Sequence, residues 1–325
     1  MLVNSKEIIF RAIPANKTLT FDRIEPFIAE AELVAANTIG SELYNELDVY
    51  YNSVSPTPNP KFDTVIIRLQ DAITYLAFWF GYDIINTTIS NTGFHRTEAE
   101  NKTTLSLYQR QEEALKQTFK HRGYNKLDAA LAYLEANKTD FPTWIASSAY
   151  INMLRNFINT TEQFDLIYHI YGSRLLFLKI RNFQNITEDL DVLPLIGREF
   201  YDELKLQILE RTLTPANAKF VALLKKAVAF RSIYNGGAEF LAVISDMGFY
   251  KFETDTNVAN HDTKKLASGE EFNMIIFRAK NVGEVYLNSC KSFLKANIAD
   301  YPLYANSNAY DAGGRVAGTD KIVVI

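Results

Sequence analysis

The nine residues IGSELYNEL at 39–47 return as IGREFYDEL at 196–204, with six identities and a spacing of 157 residues. A second match joins LEANKTDFPTWIASSAY at 134–150 to LKANIADYPLYANSNAY at 294–310. Eight of its seventeen positions are identical, whereas chance would give roughly one. The matches keep the same order in both halves, so we infer that the chain is an internal duplication.

Each copy has the spacing of a helical bundle. Apolar residues recur every three or four positions, as in Val65, Leu69 and Ile73 of the first copy and Phe220, Leu224 and Ala227 of the second. The sequence contains no alternating segments separated by hairpin turns. We therefore predict an all-α fold of two tandem, internally duplicated helical bundles with an extended C-terminal tail.

The matches also place the boundaries. They predict a first bundle at 1–155, a second bundle at 156–310 and a tail at 311–325. In the tail, glycines precede the five residues KIVVI, which have the composition of a strand.

Four local features carry further predictions. Gly40 and Gly197 are expected to end or bend a helix, and HRGYN at 121–125 is expected to break one. Thr187 is expected to cap a helix that starts with EDLD at 188–191. The loop SVSPTPNPKF at 53–62 aligns with RTLTPANAKF at 211–220.

Composition limits the partners. The 325 residues carry a net charge of −4, so a tight grip on DNA phosphates is not expected, although passive contact with DNA is compatible with this charge. The single cysteine, Cys290, excludes an intramolecular disulfide, indicates a reducing compartment and is expected to pack in a core. The most apolar run, 72–85, is too short for a membrane span and contains Asp83, so no membrane association is predicted.

Residues with catalytic or metal-binding chemistry do not form a recognisable set. His95, His121, His169 and His261 are far apart in sequence, and we interpret His169 as a core or boundary residue. EDLD at 188–191 resembles a magnesium site only weakly. Nucleotide-binding and hydrolase motifs are missing from the sequence. We predict no catalytic residues, no cofactor and no metal site, and therefore that the protein is not an enzyme.

Two aromatic features remain open to more than one interpretation. FWFGY at 78–82 suits core packing best, with an oligomer interface or a small-molecule pocket as alternatives. Tyr44 and Tyr201 occupy matching positions in the two copies. Because a duplicated fold preserves what packs, this recurrence favours a structural role over a catalytic one.

One stretch resembles a known family. FDRIEPFIAEAELVAANTIGSELYNEL at 21–47 resembles the head–tail connector, or adaptor, proteins of tailed bacteriophages and prophages of Bacteroidetes. The resemblance implies helical bundles that form a ring, generally twelvefold, below the portal and continue the DNA channel from capsid to tail. Ordinary connectors are single bundles, whereas this chain has two.

The resemblance implies a virion structural protein, made in the bacterial host cytoplasm, whose partners are its own copies, the portal protein and tail-side proteins. We expect the tail to contribute to these contacts by adding a strand to a neighbour. The residues expected to do so are Lys321, Ile322, Val323, Val324 and Ile325.

Two other functions are compatible with the sequence. One is a cytoplasmic helical protein-interaction module that works as a monomer or dimer. The other is an enzyme with its site in the cleft between the repeats, walled by Phe78, Trp79 and Tyr82.

Overall fold

The computed structural model describes residues 1–14, 19–85, 87–90, 93–96, 109–237, 239, 242–245, 248–251, 269–307 and 309. The chain divides into two compact units. Unit 1 comprises residues 1–153 and 172–175, and unit 2 comprises residues 154–171 and those from 176 onward. The predicted tail at 311–325, including Lys321 to Ile325, lies outside the described residues.

Unit 1 is built around two long helices that pack along each other. Its helices are α1 (Lys6–Ala12), α2 (Glu25–Ile39), α3 (Ser41–Asn52), α4 (Pro60–Ile85), α5 (Gln109–Ala136), α6 (Pro142–Ile145) and α7 (Ser148–Met153). Strands β1 (Thr87–Ser90) and β2 (Gly93–Arg96) lie between α4 and α5 in the chain. Helix α4 packs against α1, α2 and α5, because its apolar positions, among them Val65, Leu69 and Leu76, are buried.

Unit 2 repeats this order. Its helices are α8 (Thr161–Asp165), the part of α9 (Arg174–Thr187) from residue 176 onward, α10 (Leu193–Ile196), α11 (Arg198–Glu210), α12 (Pro215–Asn235), α13 (Gly269–Ala296) and α14 (Pro302–Ala305). Strands β3 (Ala242–Ser245) and β4 (Gly248–Lys251) lie between α12 and α13 in the chain. The core of this unit includes Phe157, Phe164, Phe177, Phe200, Phe220 and Cys290.

The two units agree in their buried positions as well as in their order of elements. Val65, Leu69 and Ala72 of α4 and Phe220, Leu224 and Ala227 of α12, each 155 residues further on, are all fully buried. The predicted all-α fold of two duplicated helical bundles is therefore confirmed.

Gly40 and Gly197 end α2 and α10, as predicted. Both have a positive φ, +92° and +81° respectively, which side chains other than glycine rarely adopt. A Cβ atom on Gly40 would lie 2.8 Å from the Cβ of Ser147, and one on Gly197 would lie 2.8 Å from the Cβ of Ser307. The same close approach recurs in both units, so a glycine is needed at the equivalent helix joint of each unit.

A π-helix at Glu188–Val192 accounts for a change of one residue in the spacing of the repeats. At its start, buried Glu32 corresponds to buried Glu188 at a spacing of 156, whereas Ile39 and Ile196 after it are 157 apart. A π-turn accommodates one extra residue inside a helix. The prediction that Thr187 caps a new helix is wrong, because Thr187 has helical dihedral angles and lies inside a continuing helix.

Each unit contains one β-hairpin that the sequence did not predict. Strands β1 and β2 are antiparallel and pair Ser90 with Gly93, and β3 and β4 pair Ser245 with Gly248 in the same way. Four-residue strands are too short to show a clear alternation of polar and apolar residues, which is why the sequence did not reveal them.

One smaller prediction was also wrong. The segment at 121–125 does not break a helix, because α5 runs through it without interruption. Gly123 allows α5 to approach α4, where a Cβ atom would lie 2.7 Å from the side chain of Leu76. The two proline-containing loops lead into α4 and α12, which begin at Pro60 and Pro215, 155 residues apart.

Cys290 is fully buried, as predicted, and burial raises its pKa to about 12 from 9.0. The unfolded thiol ionises from about pH 9 upward while the folded thiol stays protonated, so this stabilising effect is complete below pH 9 and is lost as the pH rises towards 12. We expect this thiol to lower the free energy of unfolding by up to about 1.4 kcal/mol per pH unit between pH 9 and 10. Urea unfolding at both pH values should show a flatter dependence for Cys290→Ala, and equal slopes would contradict the prediction.

Candidate functional site

The carboxylate of Glu188 lies at the centre of a buried polar cluster in unit 2. Its Oε1 accepts a hydrogen bond from the backbone N–H of Phe157 at 2.8 Å, and its Oε2 accepts one from the hydroxyl of Tyr201 at 3.0 Å. The ammonium of Lys205 forms a close ion pair with Oε2 and donates to the carbonyl oxygen of Arg155 at 2.6 Å. We call Glu188, Tyr201, Lys205 and the backbone at 155–157 the Glu188 cluster.

Local structure brings these groups together. Gly197 starts α11, and Tyr201 and Lys205 lie one helical turn apart on it, so both side chains project on the same side of the helix. Glu188 is the first residue of the π-helix. The Lys205 ammonium also lies 4.0 Å from the centroid of the Phe157 ring, within the range of a cation–π contact.

Burial sets the protonation of the cluster. Burial lowers the pKa of Lys205, and the nearby Glu188 carboxylate counteracts this by favouring the ammonium. Burial, followed by the Glu188 charge, raises the pKa of Tyr201 far above its ordinary value. At neutral pH, the Tyr201 hydroxyl is therefore a neutral hydrogen-bond donor. The Lys205 ammonium and the Glu188 carboxylate form an ion pair in a site from which water is largely excluded.

Unit 1 contains the same cluster in altered form. Glu32, the counterpart of Glu188, accepts hydrogen bonds from the backbone N–H groups of Leu2 at 2.7 Å and Val3 at 3.3 Å. Burial first and Glu32 second raise the pKa of Tyr44, the counterpart of Tyr201. Asp48 stands where unit 2 has Lys205, and it pairs with the amino group of Met1 at 2.6 Å.

The shared parts of the two clusters indicate what they do. In both units, a buried carboxylate binds the backbone of the segment that precedes the first helix and lies beside a tyrosine of the helix after the glycine joint. This favours a packing role for Tyr44 and Tyr201, with Glu32 and Glu188 as the carboxylates beside them. The sequence concealed this pairing, because the π-turn insertion changes the spacing between Glu188 and the IGREFYDEL match.

The other residues considered from sequence are separate from this cluster. Phe78 and Tyr82 pack with Phe119 of α5, and the ammonium of Lys120 lies 4.5 Å from the centroid of the Trp79 ring. The His169 side chain is 64% exposed and pairs with Asp165 at 3.2 Å. The interpretation of His169 as a core or boundary residue was therefore wrong.

Within the described residues, no three His, Cys, Asp or Glu side chains are close enough together to hold a metal ion. In the same part of the chain, no helix combines the length and apolarity that crossing a membrane requires.

Large apolar side chains are exposed at equivalent positions of both units. Leu33 and Leu190 are 65% and 69% exposed, and Val49 and Leu206 are 72% and 53% exposed. Each pair is 157 residues apart, as are the glycine joints. Both units therefore expose an apolar side chain at the same two positions.

A further exposed apolar group occurs only in unit 2. Met274, Phe277 and Val285 of α13 are 72%, 65% and 62% exposed. Their spacing of three and eight residues places them along one side of the helix. At the repeat spacing of 160, α5 of unit 1 has Ala114, Gln117 and Asn125 instead. We call Met274, Phe277 and Val285 the α13 face.

Gln184 is a buried polar residue without a partner. It is fully buried in unit 2, and among the described residues neither its amide nitrogen nor its amide oxygen has a hydrogen-bond partner. Unit 1 has the buried apolar residue Ile28 at this position. An unsatisfied buried polar group costs about 1–3 kcal/mol.

We therefore expect Gln184→Leu to raise the free energy of unfolding by about 1–2 kcal/mol, measured by urea denaturation. Gln117→Leu, at an exposed position of α5, should have little effect. An unchanged or lower stability of Gln184→Leu would contradict the prediction and would indicate that the amide has partners.

One protein family matches the sequence. The family model described as a family of unknown function (DUF6712) matches residues 35–153 and again residues 192–314. The two matches lie in different units and each includes a glycine joint, a long helix pair and a hairpin. The curated proteins and the solved structures contain no match to the chain.

Proposed function

The chain belongs to the DUF6712 family and contains its domain twice, and from this premise we propose that the protein is a structural subunit of a virion, without enzymatic activity. In this proposal, copies of the chain assemble into a head–tail connector ring between the portal and the tail and continue the DNA channel. The resemblance of residues 21–47 to connector proteins suggests this role.

The exposed apolar side chains are the observation that carries the proposal. Leu33 and Leu190, like Val49 and Leu206, are exposed apolar side chains at equivalent positions of the two units. Exposed apolar groups that recur at equivalent positions are typical of surfaces that bind other proteins. The buried Glu188 cluster, by contrast, is occupied by its own ion pair and backbone contacts.

A ring built by rotation needs two different contact surfaces on each chain. The α13 face supplies an apolar surface that has only the polar or small residues Ala114, Gln117 and Asn125 at the equivalent positions in unit 1. The chain therefore carries one surface type in both units and a second type in unit 2 alone, which suits head-to-tail association.

The proposed partners follow from this role. They are other copies of the chain in a ring, twelvefold as in the connectors that the sequence resembles, together with the portal protein and tail-side proteins. The net charge of −4 suits passive contact with DNA in the channel better than tight binding. The proposed location is the head–tail interface of the virion, after synthesis in the bacterial host cytoplasm.

Assembly can be tested directly. We expect light scattering after size exclusion to give the mass of an oligomer. Negative-stain images of the protein, alone or mixed with a purified portal protein of the same virion, should show rings. Met274→Ala combined with Phe277→Gln gives two of the three positions of the α13 face the residues of unit 1 and should abolish these rings without changing the thermal unfolding temperature.

Val54→Ser, at a fully exposed position near the end of α3, is the matched control and should assemble normally. A protein that stays monomeric or dimeric both alone and with portal would exclude the connector ring and favour the interaction-module alternative. Rings that persist in the double variant would exclude a contact role for the α13 face.

A further inference from the structure

The hairpins present backbone groups that a third strand could use. In the described part of the chain, each sheet contains two strands only, β1 with β2 in unit 1 and β3 with β4 in unit 2. A two-stranded hairpin alone is marginally stable in water and gains from an added strand. That both units retain such a hairpin at equivalent positions indicates that it is useful to the assembled protein.

The register identifies the groups on the outer edges. Ser90 pairs with Gly93 and only two residues separate them in the chain, so this pair exchanges hydrogen bonds and the pairs alternate from there. Ile89 and Thr87 therefore direct their N–H and C=O groups away from β2. By the same register in unit 2, Ile244 and Ala242 direct theirs away from β4.

The two edges of each hairpin differ in charge. Strands β2 and β4 end in Arg96 and Lys251, whereas β1 (TTIS) and β3 (AVIS) contain no charged residue. Charged side chains, lysine above all, are the usual means of preventing a strand from being added at an edge. The edges of β1 and β3 lack this protection.

The chain also contains a suitable strand. Residues 321–325, KIVVI, have four β-branched residues in five and match the four-residue edges in length. Eleven residues separate them from Ala309, the last residue described, and these can span up to about 36 Å. This length is greater than the width of two packed helices, so the segment is long enough to contact another copy of the chain.

We propose that the outer edges of β1 and β3 are acceptor sites for residues 321–325 of a second copy of the chain, which pair there as an added strand. The inference rests on the proposed function in that it requires copies to associate. It deepens that function by naming the acceptor of the tail strand. Main-chain hydrogen bonds would supply the affinity. The lack of charged residues on β1 and β3 would direct the added strand to these edges rather than to those of β2 and β4.

The test uses disulfide crosslinking between separately prepared chains in a Cys290→Ala background. One preparation carries Thr87→Cys or Ala242→Cys, and the other carries Val323→Cys or Val324→Cys, because neighbouring residues of a strand face opposite sides. A crosslink needs Cα atoms within about 7 Å. After mixing, with and without portal, and oxidation, we expect a crosslinked dimer on a non-reducing gel from at least one of the two edges.

Proline at an outward-facing position separates edge pairing from hairpin stability. Ile89→Pro, or Ile244→Pro in unit 2, removes only an N–H that points outward and should abolish the crosslink, whereas alanine at the same position keeps the N–H and should preserve it. A crosslink from Arg96→Cys or Lys251→Cys instead, or from no edge in any mixture, would overturn the proposal. Rings that form without any crosslink would overturn this inference alone, and a crosslink without rings would overturn the connector ring alone.

Discussion

Glu188→Ala is expected to lower the free energy of unfolding of unit 2 by about 3–5 kcal/mol, the cost of leaving one partner of a buried ion pair alone. The substitution leaves the Lys205 ammonium, whose side chain is 18% exposed, without its carboxylate. It also removes the acceptor of the Phe157 N–H and of the Tyr201 hydroxyl. The loss therefore combines an uncompensated charge with two unsatisfied donors.

Hydrogen exchange of peptides from unit 2 during urea denaturation is the appropriate measurement, because it separates this unit from unit 1. Asp189→Ala, at the exposed neighbouring position, is the control and should change stability by less than about 0.5 kcal/mol. The double variant Glu188→Ala with Lys205→Met should recover part of the loss, because it removes the unpaired charge as well. A Glu188→Ala variant within 1 kcal/mol or so of the wild type would show that the cluster contributes little.

The sequence predicted the duplicated helical architecture because the deciding features are local. Apolar residues such as Leu69 and Leu224 follow the helical spacing of their own segment, and Gly40 and Gly197 end helices through their own backbone dihedral angles. Neither signal depends on contacts with a distant segment. A long duplicated segment can be recognised from the sequence identities between its two copies, without knowledge of how the segments pack.

The features that the sequence did not predict depend on packing between distant segments. Glu188 lies in an acidic run that suits a helix start, and only the fold shows that its carboxylate meets the backbone of Phe157, 31 residues earlier. Gly123 looks like a helix breaker because it lacks a side chain, yet close packing against Leu76 keeps α5 intact. Exposure of Phe277 in a helix with ordinary apolar spacing could likewise be found only once the core was known.

The interpretation of the tail illustrates the same limit. KIVVI has the composition of a strand, but a strand needs an acceptor edge, and hairpins of four-residue strands leave almost no periodic signal. The structure supplies possible acceptors in β1 and β3, and it gives the register from which outward-facing backbone groups follow.

Gly40→Ala is expected to lower the stability of unit 1 by about 2–5 kcal/mol, because two costs add at the joint between α2 and α3. The φ of +92° is unfavourable for alanine. In addition, the new Cβ atom would lie 2.8 Å from the Cβ and 3.0 Å from the Oγ of Ser147. This hydroxyl donates to the carbonyl oxygen of Trp144 at 2.6 Å, so it cannot move away without losing a hydrogen bond.

Both tryptophans of the chain, Trp79 and Trp144, belong to unit 1, so tryptophan fluorescence during urea denaturation reports on the affected unit. Gly172→Ala is the matched control, because Gly172 has a φ of +61° but no atom within 4 Å of its added Cβ. It should cost only about 1–2 kcal/mol, from the backbone alone. In a Ser147→Gly background, which lacks the overlap and the hydrogen bonds of this hydroxyl, Gly40→Ala should cost only the backbone part of the loss. If Gly40→Ala were no more destabilising than Gly172→Ala, the close approach at the joint would not limit the packing of α2 against α7, and the equivalent substitution Gly197→Ala in unit 2 should then be equally mild.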